Sequence, residues 1–201
     1  MDEALTRLGI PVADSALARR ARELIADAAA PFLVNHSVRC YAWAVELAGH
    51  DGLRFDPEIL YVSAMLHDIG LVPAFDLGGC YEVDGAIAAQ RLVSEAGGPD
   101  RRARAIYDVI ALHDDEVLAS DSASEVMLLW DSAGTDVTGH RFSDIRPAII
   151  PRLLAAYPRV GFKREFTALL VDQATRKPTC PAAEMVAAGM LEEIASAPFD
   201  S

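Results

Sequence analysis

The sequence predicts an all-α protein, a single helical bundle of about eight or nine helices. Residues that favour helices, above all alanine, leucine, arginine and glutamate, are abundant, and apolar residues recur at spacings of three and four. Strand-like alternation of apolar and polar residues bounded by turn signals is scarce. Proline and glycine occur at intervals that suit helix starts and ends, so we expect helices joined by short loops.

The first three helices follow from their start signals. Asp14 or Ser15 can cap a helix that runs to about residue 30. Pro31 then occupies the first turn of a second helix. Pro57, which follows an aspartate, starts a third helix that stops at Gly70.

Six further helical segments are expected. A glycine-marked loop leads into a helix that begins at YEVDGA, and Pro99 opens the helix whose last turn holds His113. Ser122 or Ser124 can cap SEVMLLWDSAG, after which GTDVTGH is interpreted as a break or a tight helical connection. The last three segments are IRPAIIPRLLAAYP, FKREFTALLVDQATR and PAAEMVAAGMLEEIASA.

The length, charge and cysteine content of the chain indicate the number of domains and exclude some kinds of partner. The 201 residues are expected to form one domain, with a core at about 31–178 and a C-terminal helix at 180–197 packed on it. A net charge of −12 repels phosphate backbones and anionic membranes, so we expect neither nucleic acid nor membrane as a partner. No signal peptide and no run of 18 apolar residues is visible. Three cysteines, an odd number without metal-ligand spacing, favour a reducing compartment, and we expect a cytoplasmic protein.

Two of the five histidines lie on apolar helical segments. His36 lies in FLVNHSVRCYAW, and His67 lies in AMLHDIG, directly before Asp68. A neighbouring antiparallel helix would bring His36 to this pair, and one further carboxylate would complete a set of four ligands. Mixed nitrogen and oxygen donors suit zinc, iron or manganese better than calcium, so we expect one divalent transition metal.

Several segments, in the same order along the chain, resemble the HD superfamily of metal-dependent hydrolases, which are all-helical. NHSVRCYAWA, LYVSAMLHDIG and the aspartate in GTDVTG carry the superfamily pattern. The segments YEVDGAIAAQRLV, YDVIALHDD, EVMLLWDSAGTDVTG and AAYPRVGFKREFTALLVDQATRKP are similar to the branch that contains the cyanamide hydratases. The resemblance extends from about residue 35 to residue 178.

The resemblance implies which residues bind the metal. By motif, the ligands would be His36, His67, Asp68 and Asp136. Asp131, one and a half helical turns before Asp136, competes for the fourth position. The glycine-flanked setting of Asp136 matches the family's segment, whereas Asp131 would more naturally hydrogen-bond a ligand histidine or a helix terminus.

Other residues receive roles from the same resemblance or from their surroundings. Asp68, next to the activated water, is the expected general base. His113 resembles a position near the family's site, and we expect it to contact substrate or transfer a proton. Glu82, in YEVDGA, is expected to face the cavity and bind substrate. Asp114, in the acidic run DDE, is expected on a solvated face, and Cys40 is expected to be a packed thiol.

The expected function is the addition of metal-activated water to a small-molecule substrate, with a nitrile such as cyanamide as the example. Leu71 stands where many phosphodiesterase members carry a lysine, and Cys80 stands where relatives often carry an arginine, which favours a neutral or weakly charged substrate. The alternatives are an HD-type phosphohydrolase that acts on a nucleotide or another phosphoester, a non-enzymatic metal- or ligand-binding sensor, and a metal that only stabilises the bundle. The amphipathic C-terminal helix either closes the bundle or forms a homodimer.

Overall fold

The computed structural model describes residues 3–115, 119 and 122–199. Within these residues the protein is all-α, which confirms the predicted fold class. The α-helices are α1 (Glu3–Arg7), α2 (Ala16–Ala28), α3 (Pro31–Asp51), α4 (Pro57–Leu66), α5 (Tyr81–Glu95), α6 (Asp100–Ala111), α7 (Ser124–Thr138), α8 (Ile150–Ala156), α9 (Phe162–Arg176), α10 (Pro181–Ala187) and α11 (Met190–Ser196). Short 3₁₀-helices cover Ile69–Leu71, Pro73–Phe75 and Phe142–Asp144.

The early helices begin at the predicted signals. The side chain of Ser15 accepts a hydrogen bond of 3.0 Å from a backbone N–H in the first turn of α2, so Ser15 rather than Asp14 is the cap. Pro31 and Pro57 are the first residues of α3 and α4. A proline suits this position because it has no backbone N–H, and the N–H of another residue at the helix start would have no partner within the helix.

Two predicted helices have different bounds in the structure. The prediction of one continuous C-terminal helix over 180–197 is wrong: Gly189 has a left-handed backbone with φ of 102° and separates α10 from α11. Of the two interpretations of GTDVTGH, a break or a tight helical connection, the break is wrong, because α7 continues to Thr138 and is capped by Gly139, whose φ is 87°. This split and the short helix α1 raise the number of α-helices in the described residues to eleven, above the predicted eight or nine.

Helix α3 lies at the centre of the fold. Its buried side chains include Tyr41, Trp43 and Leu47, and it packs against α4, α7 and α9. An apolar cluster separate from the main core contains Phe162 of α9 and Ile194 of α11. The apolar side of α10 and α11 therefore packs on the bundle.

A disulfide links Cys80, directly before α5, to Cys180, directly before α10. The odd number of cysteines did not predict this pair, because partners 100 residues apart leave no local pattern. Cys40 is free and buried. Within the described residues, every helix is too short or too polar to span a bilayer.

Candidate metal centre

Three side chains from two segments converge on one point in the interior. Nε2 of His36, on α3, lies 3.1 Å from Nε2 of His67, at the end of α4. Oδ2 of Asp68 lies 3.2 Å from Nε2 of His36 and 3.3 Å from Nε2 of His67. All three residues are at most 1% exposed. The predicted approach of His36 to the His67 and Asp68 pair is therefore what the structure contains.

The Nδ1 nitrogen of each imidazole in the centre forms a hydrogen bond to a group outside the point of convergence. Nδ1 of His67 donates to the backbone oxygen of Ala64 at 2.9 Å, and Nδ1 of His36 donates to Oδ2 of Asp136 at 2.8 Å. In a neutral imidazole, a proton on Nδ1 leaves the lone pair on Nε2. When both rings are neutral, the Nε2 lone pairs of His36 and His67 are thus directed toward each other and toward Asp68, as in a metal site whose outer hydrogen bonds orient the ligands.

Asp136 has a different place from the one that the motif implies. Its Oδ1 accepts from Nε of Arg39 at 2.8 Å and from Nε1 of Trp43 at 2.9 Å. Its Oδ2 accepts from Nη2 of Arg39 at 2.8 Å, in addition to the bond from His36. In this geometry the carboxylate lies on the Nδ1 side of His36, away from the facing Nε2 atoms, and orients the ring.

Asp131, the competing fourth ligand, lies outside the centre. Its carboxylate is 2.7 Å from Nη1 of Arg141 and 3.2 Å from Nε2 of His140, and neither partner touches the converging imidazoles. The side chain of His140 is about half exposed. Asp131 therefore pairs with the loop that follows α7 and hydrogen-bonds no ligand histidine.

His113 lies on the other side of Asp68. Its Nε2 is 3.7 Å from Oδ1 of Asp68 and 3.3 Å from Oδ2 of Asp114, while its Nδ1 donates to the backbone oxygen of Ile110 at 2.6 Å. The rings of His113 and His67 meet edge to face, with centroids 4.9 Å apart. The structure thus brings His113 to the centre, in reach of the oxygen of Asp68 that does not face His36.

Asp114 is part of this arrangement, and the expectation of a solvated face is wrong for it. Its carboxylate accepts a hydrogen bond from the hydroxyl of Tyr81 and lies beside Nε2 of His113. Its side chain is only 15% exposed. Of the other members of the acidic run, Asp115 accepts a hydrogen bond from Trp130 through its backbone oxygen, and Glu116 lies outside the described residues.

Glu82, the expected substrate contact, is buried on the first turn of α5. Burial raises its pKa to about 7, and the nearby carboxylate of Asp114 acts in the same direction. Its Oε2 has no hydrogen-bond partner among the described residues. Glu82 is therefore a buried carboxyl group that gains and loses its proton near neutral pH.

The charges of the centre favour a negative Asp68 and protonated imidazoles when no cation is bound. Burial raises the pKa of Asp68, but the imidazoles of His67, His113 and His36 outweigh it and hold that pKa well below its usual range. Burial lowers the pKa of His67, but the effects of Asp68 and Cys40 are larger than that of burial and raise this pKa to about 10. A bound cation would replace these protons as the positive partner of Asp68.

Helix α5 approaches the end of α4 closely, which places its first turn beside the centre. A Cβ atom on Gly70 would overlap the backbone oxygen of Tyr81, and one on Gly85 would meet the backbone oxygen of His67 at 3.0 Å. Glycine at both positions is therefore required by the close contact of the two backbones. The Cys80–Cys180 disulfide adds a covalent restraint directly before the same turn.

The converging residues fit a divalent transition metal. Oδ2 of Asp68 is buried without a hydrogen-bond partner among the described residues, although two ring nitrogens lie within 3.3 Å of it. A buried carboxylate oxygen in that state needs a positive partner. Two imidazole nitrogens and one carboxylate oxygen are a donor set found in catalytic zinc and iron sites, where a further position stays open.

The helical fold and the buried histidine and aspartate cluster define a class of metal-dependent enzyme, and the comparison with protein families agrees. The family model of the HD domain matches residues 33–136, more than half of the chain. The chain belongs to the HD domain family. The match begins just before His36 and ends at Asp136, so it spans the whole of the predicted ligand set.

Two curated proteins of Saccharomyces cerevisiae are similar to this chain along most of their length. They are cyanamide hydratase DDI2 and cyanamide hydratase DDI3, each 26% identical over 179 residues, which cover 86% of this chain and 79% of the yeast protein. The family and these relatives together support a metal-dependent hydrolase of the HD type.

Proposed function

We propose that the protein hydrates a small nitrile, with cyanamide as the first candidate. The convergence of His36, His67 and Asp68 on one buried point is the observation that carries this proposal. The names of the yeast relatives supply the reaction, and the buried, narrow surroundings of the centre suit a substrate of a few atoms.

His36, His67 and Asp68 are the proposed metal ligands, and Asp136 acts on the centre through His36. A bound divalent ion supplies Lewis acidity, which makes water nucleophilic near neutral pH. Three protein ligands would leave such an ion able to bind water as well, as in other catalytic sites. The buried pair of Arg39 and Asp136 holds the imidazole of His36 in its orientation.

Two residues are proposed to move protons. Hydration of a nitrile forms a bond between the water oxygen and the nitrile carbon and delivers a proton to the nitrile nitrogen, which gives an imidic acid. Transfer of the remaining hydroxyl proton to the same nitrogen gives the amide, so that cyanamide becomes urea. Asp68 accepts the proton that water loses, and His113, 3.7 Å from Oδ1 of Asp68, delivers a proton to the nitrogen. Burial lowers the pKa of His113, but Asp114 and Asp68 outweigh it and raise it, which suits a proton donor. Glu82 is proposed to bind the substrate from the first turn of α5.

The test is a comparison of substrate classes on the purified protein. Urea release from cyanamide is measured beside phosphate release from a panel of nucleotides, for the wild type, for His67→Ala and for His50→Ala, which alters an exposed histidine. The proposal predicts urea formation by the wild type and by His50→Ala and none by His67→Ala. Cleavage of nucleotides without any action on nitriles would overturn it in favour of a phosphohydrolase, and full metal occupancy without turnover of any substrate would favour a sensor.

A further inference from the structure

A small cavity lies next to the metal centre. Its volume is about 60 Å³, far below the roughly 300–1,000 Å³ of pockets that hold drug-sized ligands, so it admits only a few non-hydrogen atoms. Tyr81 and Asp114 line one part of it, and side chains of α7, α9, α10 and α11 line the rest.

Three residues that line the cavity lie beside the imidazoles of the centre, although His36, His67, Asp68 and His113 are not among the described lining residues. Asp114, which lines the cavity, lies 3.3 Å from Nε2 of His113. The ring of Tyr81 is 6.0 Å from the ring of His113, and the ring of Phe166, another lining residue, is 5.6 Å from the ring of His36. Asp114, Tyr81 and Phe166 therefore place this cavity one side chain away from the centre.

The polar groups of the cavity are gathered at Asp114. Its carboxylate and the Tyr81 hydroxyl are hydrogen-bonded to each other, and the hydroxyl of Thr138 already donates to the backbone oxygen of Gly134 at 3.0 Å. Most of the remaining described lining is apolar and includes Met185 and Met190. No lysine or arginine is among the described residues that line it.

This distribution of charge selects against anions. A phosphate or a carboxylate in the cavity would face the carboxylate of Asp114 without a cation to offset it. Three buried cations lie in this part of the fold, and each contacts an acidic side chain: Arg39 and Arg159 contact Asp136, and Nζ of Lys177 lies 2.9 Å from Oδ1 of Asp76. Nε and Nη2 of Arg159 have no hydrogen-bond partner among the described residues, but Arg159 is not among the described residues that line the cavity. An N–H group, in contrast, can donate to a free lone pair of Asp114.

We propose that this cavity sets the substrate class: an uncharged nitrile that carries an N–H beside the reacting carbon and a substituent of about methyl size. The N–H donates to Asp114, which Tyr81 and His113 hold in place, and the substituent packs against the apolar wall near Met185 and Met190. This inference rests on the proposed nitrile hydration. It assigns Asp114 and Tyr81 as residues that determine specificity.

The test compares three nitriles: cyanamide, N-methylcyanamide and N,N-dimethylcyanamide, which has no N–H. We expect the first two to be hydrated, and kcat/KM for the dimethyl compound to be lower than for the monomethyl compound by about tenfold or more, as for the loss of a hydrogen bond to a buried charged group. In Asp114→Asn this preference should shrink several-fold. Asp115→Asn, one residue further along the chain, is the matched control and should keep it.

A second measurement separates this inference from the proposed reaction. Calorimetric binding of N-methylurea and of acetate is measured for the wild type, Asp114→Asn and Tyr81→Phe, with Tyr107→Phe as the control for loss of a partly buried hydroxyl. N-methylurea should bind the wild type, bind Asp114→Asn about tenfold or more weakly, and be preferred over acetate.

The outcomes distinguish the two proposals. Binding of N-methylurea that depends on Asp114, without turnover of any nitrile, would overturn the proposed reaction and leave the cavity assignment standing. Hydration of cyanamide with equal kcat/KM for the mono- and dimethyl compounds, in the wild type and in Asp114→Asn alike, would overturn the cavity assignment and leave the reaction standing. Circular dichroism of each variant checks that it folds.

Discussion

Nδ1 of His36 lies 2.8 Å from Oδ2 of Asp136, and Nε2 of the same ring lies 3.1 Å from Nε2 of His67. One imidazole thus joins a buried ion pair on one side to the candidate metal centre on the other. Asp136 also accepts two hydrogen bonds from Arg39. The acidic residue that the family motif places among the ligands is, in this geometry, the group that sets the tautomer and the direction of His36.

Asp136→Asn should therefore weaken metal binding without abolishing it. Loss of an outer hydrogen-bond partner typically costs about 10- to 100-fold in metal affinity. The free energy of unfolding should also fall by about 3–5 kcal/mol, because Arg39 is left buried without its carboxylate partner. Competition with a zinc chelator measures the affinity, and urea denaturation measures the stability.

Asp131→Asn is the matched control, because it removes a carboxylate that pairs with Arg141 and His140 nearer the surface. It should leave the metal affinity unchanged and alter stability by at most about 1 kcal/mol. A folded Asp136→Asn protein with no measurable metal binding would instead show that Asp136 is itself a ligand.

His113→Gln should retain the metal and lose turnover. Removal of a group that transfers a proton typically lowers kcat by about 10²- to 10⁴-fold. His140→Gln changes a half-exposed histidine and should have nearly wild-type kcat. If His113→Gln loses its metal as completely as His67→Ala does, His113 is a ligand and the role in proton transfer is contradicted.

Glu82 should make the protein less stable as the pH rises. Its pKa in the folded protein is about 7, against 4.5 for an ordinary glutamate, so the folded state binds the proton more tightly than the unfolded state does. The resulting stability is complete below about pH 4.5 and is lost as the pH rises through about 7, with an upper limit of about 3 kcal/mol.

Glu82→Gln removes this titration and should be more stable than the wild type at pH 8, with little difference at pH 4.5. Urea denaturation at the two values measures the effect, and Glu23→Gln, at an exposed position of α2, is the control. An equal effect of Glu82→Gln at both pH values would contradict the raised pKa.

The disulfide should contribute to stability through the length of chain that it closes. Cys80 and Cys180 are 100 residues apart, and a crosslink over such a loop contributes about 2–5 kcal/mol. The double variant Cys80→Ser/Cys180→Ser should lose that amount in denaturation experiments. A reducing agent should destabilise the wild type equally and leave the double variant unchanged; destabilisation of the double variant by the reductant would contradict this account.

The fold class and the core of the site were accessible from the sequence because both depend on local patterns. Helical spacing and proline starts predicted α3 and α4, and the adjacent His67 and Asp68 at a helix end marked one side of the centre. Arg39 and Trp43 could have been found as well, since they follow His36 by three and seven residues and share its helix face.

Other features depend on contacts between distant parts of the chain. In the sequence, Asp114 belongs to an acidic run of the kind that is usually solvated. Only the fold shows that Tyr81, 33 residues earlier, donates a hydrogen bond to it. The Cys80–Cys180 pair and the cavity between α7, α9, α10 and α11 arise from the packing of helices that the sequence does not place relative to one another. The split at Gly189 shows that a glycine within a helical pattern can end the helix through a left-handed backbone.

Metal content is the most direct test of the central claim, that His36, His67 and Asp68 bind one cation. Elemental analysis of freshly purified wild type, His67→Ala and His50→Ala compares the buried centre with an exposed histidine. We predict about one zinc, iron or manganese ion per chain in the wild type and in His50→Ala, and almost none in folded His67→Ala. A wild-type protein that takes up no divalent ion, or a His67→Ala protein that retains a full complement, would contradict the account.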